Sequence, residues 1–258
     1  MENQYSKHKN IWQINGVRAR GQYVALCDGD DYWTDPEKLQ KQVDFLETHP
    51  DCSACFHASY AIHAKTGEIL SETRFDHHSR PIGVEEIISR GGGSFSTNSI
   101  LFRRDICDEM PGFYHNAPVR DYPLMIVLAL RGTVYYVDEF MSNYRRFVDH
   151  SWSSQMASST KKRQEHIDAI EKMLVEVNEY TQHRFAQTIE NTIMKNRWKH
   201  ILNTGDWRLA HSDKYLPLYL KLGRKRKFIL FLKGLNPGLA RRLSRLKKRF
   251  IRKEQNIS

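Results

Sequence analysis

Acidic residues are almost absent from the last part of this 258-residue sequence. After Leu220 the only one is Glu254, against Lys221, Arg224, Lys225, Arg226, Lys227, Lys233, Arg241, Arg242, Arg245, Lys247, Lys248, Arg249, Arg252 and Lys253. The formal net charge of +10 is therefore largely a property of the C-terminus. Long apolar runs are also missing, which argues against a spanning helix, and no stretch reads as a signal peptide; the chain reads as cytoplasmic. Cysteine is scarce. Cys52 and Cys55 form a C-x-x-C, but no second such pair or His pair follows at zinc spacing. Cys52-Ser53-Ala54-Cys55-Phe56 reads as a buried strand with thiols acting as small hydrophobes. There is no internal repeat and no low-complexity tract. The hydrophobic fraction of 40% is that of a globular chain, long enough for one core plus an appendage.

Against this background one run stands out. Tyr23-Val24-Ala25-Leu26 reads as a strand covered on both faces, and it ends in Cys27-Asp28-Gly29-Asp30-Asp31-Tyr32-Trp33. Open α/β sheets bind ligands at the carboxyl ends of their strands. Carboxylates crowded there repel one another, and a divalent cation relieves that repulsion; oxygen-only ligands suit Mg²⁺ or Mn²⁺ bridging to phosphates. The plain alternative is a solvated turn, since Asp and Gly are ordinary turn residues.

Other elements follow from pattern. Lys7 to Arg20 reads as a helix closed by Gly21. Asp35 suits an N-cap with Pro36 at the first helical position and Glu37 complementing the dipole; Leu39, Val43 and Leu46, widened by Phe45, mark the buried face. Cys52 to His57 reads as a strand, and Tyr60 to His63 with Glu68 to Ser71 as a hairpin about Lys65-Thr66-Gly67. Val84 to Arg90 reads as a short helix, Gly91 to Ser94 as a flexible loop and Thr97 to Phe102 as a strand. Tyr122 to Leu130, apolar nearly all round, reads as a buried helix. Thr133 to Val137 and Met141 to Arg145 read as two strands. A Ser-rich join at Ser153 to Ser159 leads into helices with Ile167, Ile170, Met173, Leu174 and Val177 on one face. The tail carries Leu239, Leu243, Leu246 and Phe250 on one helical face with cations on the others, the pattern of a membrane-surface anchor.

Three segments, in order, resemble the family 2 glycosyltransferases of bacteria. Gly21 to Leu39 resembles their Asp-x-Asp segment, and Gly92 to Arg103 their acceptor-side strand. Arg120-Asp121-Tyr122-Pro123-Leu124, then Gly132, Val137-Asp138 and Tyr144-Arg145, resembles the catalytic-acid block and closing strands. The likeness runs from about Lys9 to Gln155. It implies an α/β GT-A (Rossmann-like) mixed sheet, an inverting transfer and a nucleotide-diphosphate sugar donor, UDP-sugar foremost, with Mn²⁺ or Mg²⁺. Asp28 and Asp30 would handle the donor, one towards ribose or base, the other on metal and diphosphate, with Asp31 in support. Asp121 would be the general base, although as a residue preceding an apolar helix it also suits an N-cap.

Further residues carry two readings each. Thr97 and Asn98 are donor contacts or strand-start residues. Arg145 pairs with diphosphate, or with Asp138 or Glu139. Trp33 stacks on a sugar or packs. His150 is a metal ligand beside Asp30, or a loop histidine. The family's opening strand, helix and acid-bearing second strand have no counterpart before Lys7, so the expected fold is N-terminally truncated. The expected organisation is a transferase domain over 1–155, a helical region over 156–220 and a basic amphipathic tail over 221–258. The family setting implies a lipid-linked or polysaccharide acceptor in envelope synthesis, at the inner face of the plasma membrane. The tail would meet anionic lipid, and nucleic acid is not an expected partner. The rival expectation is a truncated, inactive relative that only binds membrane or a partner.

Overall fold

A computed structural model describes residues 15–16, 18–148, 156 and 159–235. The chain divides into two compact units, Met1–Thr192 and Ile193–Ser258, with the boundary inside a helix rather than at the Ser-rich join. The first is an α/β unit built on a mixed seven-stranded sheet. Its strands are β1 (Tyr23–Ala25), β2 (Tyr32–Trp33), β3 (Cys52–His63), β4 (Ile69–Thr73), β5 (Arg80–Ile82), β6 (Leu101–Arg103) and β7 (Thr133–Arg146). The main order is β1-β6-β3-β7-β2, with β4 added to β3 and β5 to β7. Only β3 and β7 run parallel; the other pairs are antiparallel. Long and mutually paired over most of their length, β3 and β7 form the spine.

The spine departs from the pattern-based expectation in an instructive way. Thr133 to Arg146 is one strand, not two, and β3 continues through the expected gap to His63. Register shifts near Cys52/Ala54 and around Ala58 let both strands absorb irregular residues without ending. The first shift also settles the C-x-x-C. In a regular strand, residues three apart face opposite sides. With Ser53 bulged, Cys52 and Cys55 share one face, in a cluster with Leu46 and Leu101. Both thiols are buried and free, and burial pushes Cys55 up to about 12, so they pack rather than react. Ser53 donates to Leu128 O at 2.8 Å, and Gly132 sits so close that a Cβ there would lie 2.9 Å from Ser53 Cβ.

Helix α1 (Lys38–Thr48) covers the cysteine face. It starts later than expected: Asp35 accepts from Glu37 N at 2.8 Å in a turn before the helix instead of capping it. Its buried positions are Lys38, Gln42 and Leu46, while Leu39 is exposed. On the opposite face Phe56 meets Tyr136, Phe75 and Phe95, with ring centroids 5.2, 5.3 and 6.1 Å away. Then come α2 (Val84–Arg90), α3 (Gly112–Asn116) and α4 (Asp121–Arg131). As the sequence indicates, α4 is buried from Tyr122 to Leu128, and Tyr122 Oη donates to Ile88 O of α2.

Other boundaries shift too. Gly92–Ser94 is a 3-10 turn rather than a flexible loop. The expected strand from Thr97 begins as a 3-10 turn at Thr97–Ser99 and becomes β6 only at Leu101. The hairpin about Gly67 forms, with His63 N donating to Glu68 O at 2.8 Å. At the other edge, β1 is half-buried rather than covered on both faces, and it ends at Ala25.

Helix α5 (Thr160–Tyr180) buries Ile170, Met173, Leu174 and Val177, the apolar face read from the sequence, and Ser159 caps it by accepting from Lys162 N. Helix α6 (Ala186–Thr204) carries the chain into the second unit, where α7 (Trp207–Ala210), α8 (Leu216–Leu220) and α9 (Arg224–Leu235) follow. Ile201, Ala210, Tyr215 and Leu230 form its core. Gly205 and Gly234 let two segments touch: a Cβ on Gly234 would lie 2.6 Å from Gly205 O. The helix expected over Lys7 to Arg20 lies mostly outside the described residues, as do His150 and the face from Leu239 to Phe250. Among the described residues no helix is long and apolar enough to cross a membrane.

Candidate active site

The carboxylates lie in the connection that leaves β1. Leu26 N still donates to Ile100 O at 3.1 Å, so the chain remains tied to the segment entering β6. A turn follows, closed by Asp31 N on Asp28 O at 3.0 Å. The chain then runs into β2, which pairs with β7 through Tyr32–Asn143 and Trp33–Ser142. Gly29 and the two Asp-Asp neighbours are good turn formers, so the sequence makes this bend locally while the two short strands hold its ends.

Asp31, half-buried, is the member of the group whose two carboxylate oxygens are both held by protein. Its Oδ1 accepts from Arg145 N at 2.9 Å and its Oδ2 from Asn98 Nδ2 at 3.0 Å. Burial pushes its pKa up to about 7; those two hydrogen bonds pull against that, and the charges of Asp30 and Asp28 add to it. With both oxygens engaged by protein, Asp31 anchors the turn. Asp28 and Asp30 are the carboxylates left to meet a ligand. Asp28 is accessible to water, yet the surrounding protein displaces enough solvent to raise its pKa, with Asp30 contributing second.

Asp121 opens α4 and belongs to the same constellation. Its pKa is pushed up to about 6, first by burial and then by the charge of Asp28. Hydrogen bonds from Tyr122 N, at 2.8 Å, and from the Thr97 side chain act the other way. It is the first helical residue rather than an N-cap, with its side chain turned onto the next backbone N–H. Two segments more than ninety positions apart in sequence, at Asp28 and Asp121, thus converge, and Thr97 works on Asp121.

Asn98 is the strut that holds the site. It is fully buried, donates to Asp31 and to Asn143 O (3.1 Å), and accepts from Ser142 Oγ at 2.7 Å. Its own carbonyl accepts from Trp33 Nε1 at 2.9 Å. It acts through Asp31 and Trp33, with no amide atom left to face a donor. Arg145 does not make the expected ion pair: Asp138 takes Arg74, Glu139 takes Lys41, and the Arg145 guanidinium donates to Ala64 O at 3.3 Å. Its backbone N–H holds Asp31 in place. Trp33 is half-buried, with Lys38 Nζ 4.5 Å from its ring centroid.

Lys38, Gln42, Ser142 and His57 were not legible as site residues. Lys38 is buried with its pKa pushed down to about 8 by desolvation, and donates to Gln42 Oε1 at 2.6 Å; Gln42 Nε2 in turn donates to Ser99 O at 3.0 Å. His57 is buried with Nδ1 2.8 Å from Ala58 O, and burial lowers its pKa to about 3, so it is neutral. The one available signal was spacing: Lys38, Gln42 and Leu46 repeat at i, i+4, i+8 on one helix face.

Among the described residues no three His, Cys, Asp or Glu side chains close into a metal cage. The donor set still fits Mg²⁺ or Mn²⁺ shared with a diphosphate, since such ions keep several waters and take one or two carboxylates from protein. Asp28 and Asp30 are the residues that would supply those oxygens. Cys27, exposed beside them, reports on their charge: burial first, then Asp31 and Asp28, raise its pKa. Asp28→Asn is therefore expected to speed alkylation of Cys27 by iodoacetamide at pH 8 by about two- to threefold, because more of the thiol is thiolate. An unchanged rate would mean that the Asp28 charge does not act on the Cys27 thiol as described.

No family model matches the chain. It is similar to uncharacterized proteins of Mycobacterium bovis and of two strains of Mycobacterium tuberculosis, at 37% identity over 155 residues. That stretch is 60% of this chain and 43% of each relative, so the chain spans less than half the length of the curated relatives it matches.

Proposed function

We propose that this chain carries the catalytic side of an inverting glycosyl transfer from a nucleotide-diphosphate sugar, UDP-sugar foremost, on a GT-A form of the α/β sheet. The observation that carries the reading is the convergence of Asp121, with its pKa near 6, on Asp28 of the carboxylate turn. A sugar hydroxyl is a poor nucleophile, and a carboxylate titrating just below neutrality is ionised at pH 7 yet basic enough to take its proton. In the step, the acceptor O–H gives its proton to Asp121. The oxygen bonds to the anomeric carbon from the face opposite the diphosphate, and the bond to the diphosphate oxygen breaks with its electron pair.

Asp28 and Asp30 would hold Mn²⁺ or Mg²⁺, which when bound offsets the charge of the leaving diphosphate as a Lewis acid. Asp31, Asn98 and the Arg145 backbone keep that turn in place. Trp33, fixed by Asn98 and Lys38, is a candidate platform for an acceptor sugar. The acceptor we favour is lipid-linked or polysaccharide, in envelope synthesis, used by a protein held peripherally at the inner membrane face.

The outer edge of β1 pairs with no strand among the described residues. This favours, as a second reading, a non-catalytic binding module whose donor pocket is incomplete. UDP binding separates the two. With Mn²⁺ present the chain is expected to bind UDP in preference to GDP, and binding should fall at least about tenfold without metal or in Asp30→Asn, as loss of a charge-bearing contact implies. A folded chain that binds no nucleotide diphosphate would favour the second reading.

A further inference from the structure

Helix α9 is held to its unit by one side only. Leu230 is buried in the cluster of Ile201, Ala210 and Tyr215, whereas Phe228, Phe231 and Leu235 are exposed at 61%, 49% and 64%. At about 100° per residue these three fall within roughly 60° of one another, on the side of the helix away from Leu230. Leu220, at the end of α8, is also 63% exposed. Apolar side chains this exposed and this grouped mark an interaction surface.

The charges around them are of one sign. Lys221, Arg224, Lys225 and Arg226 are exposed, and no Asp or Glu occurs between Asp213 and Glu254. Two nearby lysines are already engaged: Lys227 Nζ donates to Leu220 O at 3.3 Å and Lys233 Nζ to Leu202 O at 2.7 Å. The other exposed cations of α9 lie in its first turn, Arg224 and Lys225 on the side of the apolar three and Arg226 towards Leu230.

We propose that this face of α9 docks on an anionic lipid surface, with Phe228, Phe231 and Leu235 entering the headgroup–acyl boundary, Arg224 and Lys225 meeting lipid phosphates, and Arg226 adding to the charge of the first turn from the flank. A membrane uses both halves of the pattern, apolar and cationic. Nucleic acid would satisfy the cations and leave two phenylalanines and a leucine against water. A second copy meeting this one symmetrically would set cations against cations. The proposal deepens the transferase reading, resting on it only for the reason a membrane is useful, which is access to a lipid-linked acceptor. The surface itself is argued from α9 alone.

The test uses the full chain in co-sedimentation with phosphatidylglycerol-rich vesicles and with pure phosphatidylcholine vesicles, alongside Phe228→Ser/Phe231→Ser/Leu235→Ser and Arg224→Gln/Lys225→Gln/Arg226→Gln. Circular dichroism confirms that each variant keeps its helices. The wild type is expected to prefer the anionic vesicles, and each triple variant to bind them at least about tenfold more weakly, since both the apolar area and the charges contribute. Serine-variant binding equal to wild type would overturn the proposal, as would wild-type indifference to lipid charge. A wild-type dimer that the serine variant dissociates, with vesicle binding unchanged, would assign the face to self-association instead. No nucleotide is present, so failure of UDP binding leaves this result standing, and failure here leaves UDP binding intact.

Discussion

Asp121→Asn is expected to lower the rate of sugar transfer by a factor of roughly 10² to 10⁴, the usual contribution of a positioned general base, while leaving UDP binding within about twofold. The same substitution is expected to make the protein more stable. The sign follows from the direction of the shift. Asp121 has its pKa raised to about 6 in the folded chain, from about 3.9 when unfolded. Below about pH 4 both states hold the proton and the group contributes no difference. Between about pH 4 and 6 the folded state holds a proton that the unfolded state has lost, so stability falls as pH rises, and the loss persists above pH 6. Two pKa units correspond to a ceiling of about 3 kcal/mol. Residual solvation brings the expected gain for Asn at pH 8 to about 1 kcal/mol, a rise in Tm of about 2–4 °C for a chain of this size. At pH 3 the gain should vanish.

Asparagine suits the test because its Oδ1 still accepts from Tyr122 N while its amide no longer repels Asp28. Retained transfer would sink the base assignment, and a lower Tm at pH 8 would show that the carboxylate is stabilised where burial says it is strained. For the wild type, kcat/KM is expected to fall as pH drops between about 7 and 6. Burial pushes Asp31 up to about 7 as well, so its protonation falls in the same pH range and contributes to the profile.

How much of this was legible in the sequence differs from element to element. The α4 helix and the apolar face of α5 were readable because burial and periodicity agree there: Tyr122 to Leu128 is apolar on every side, and Ile170 to Val177 repeats at helical spacing. The carboxylate turn was readable because three aspartates after an apolar run are unusual wherever the run is placed. What failed has a common cause. Hydrophobic periodicity cannot mark a buried polar residue, so Leu39 read as core although it is exposed, while the buried Lys38 and Gln42 went unmarked. Bulges are equally silent, so β7 read as two strands. Asn98 read as a donor contact or a strand start. Its role as a strut depends on Ser142 and Asn143, more than forty positions away, which only the fold brings to it.

Asn98→Ala should be the most damaging single change outside the carboxylates. Asn98 sits where the loop before β6, the turn after β1 and the C-terminal half of β7 meet, and it is fully buried. Alanine removes the amide that donates to Asp31 and to Asn143 O, and the oxygen that accepts from Ser142 Oγ. Each buried polar group left without a partner costs about 1–3 kcal/mol, and a bond to a charged group contributes about 1.5–3. Some of these groups find water in the space that is opened, so the expected loss is about 3–5 kcal/mol. That is a large fraction of a typical stability of 5–15 kcal/mol, and it should appear as a lower urea midpoint at unchanged slope.

The functional consequence runs through Asp31. Having lost a hydrogen bond to its ionised form, Asp31 should titrate higher than it does now and release the turn that carries Asp28 and Asp30. Metal-dependent UDP binding is therefore expected to weaken although neither ligand-facing carboxylate has been touched. The bond from Trp33 Nε1 ends on the backbone of Asn98, not its side chain, so indole fluorescence should change little in the folded variant. A loss of stability below 1 kcal/mol, or UDP binding equal to wild type, would show that Asp28 and Asp30 hold their places without Asp31 and its strut.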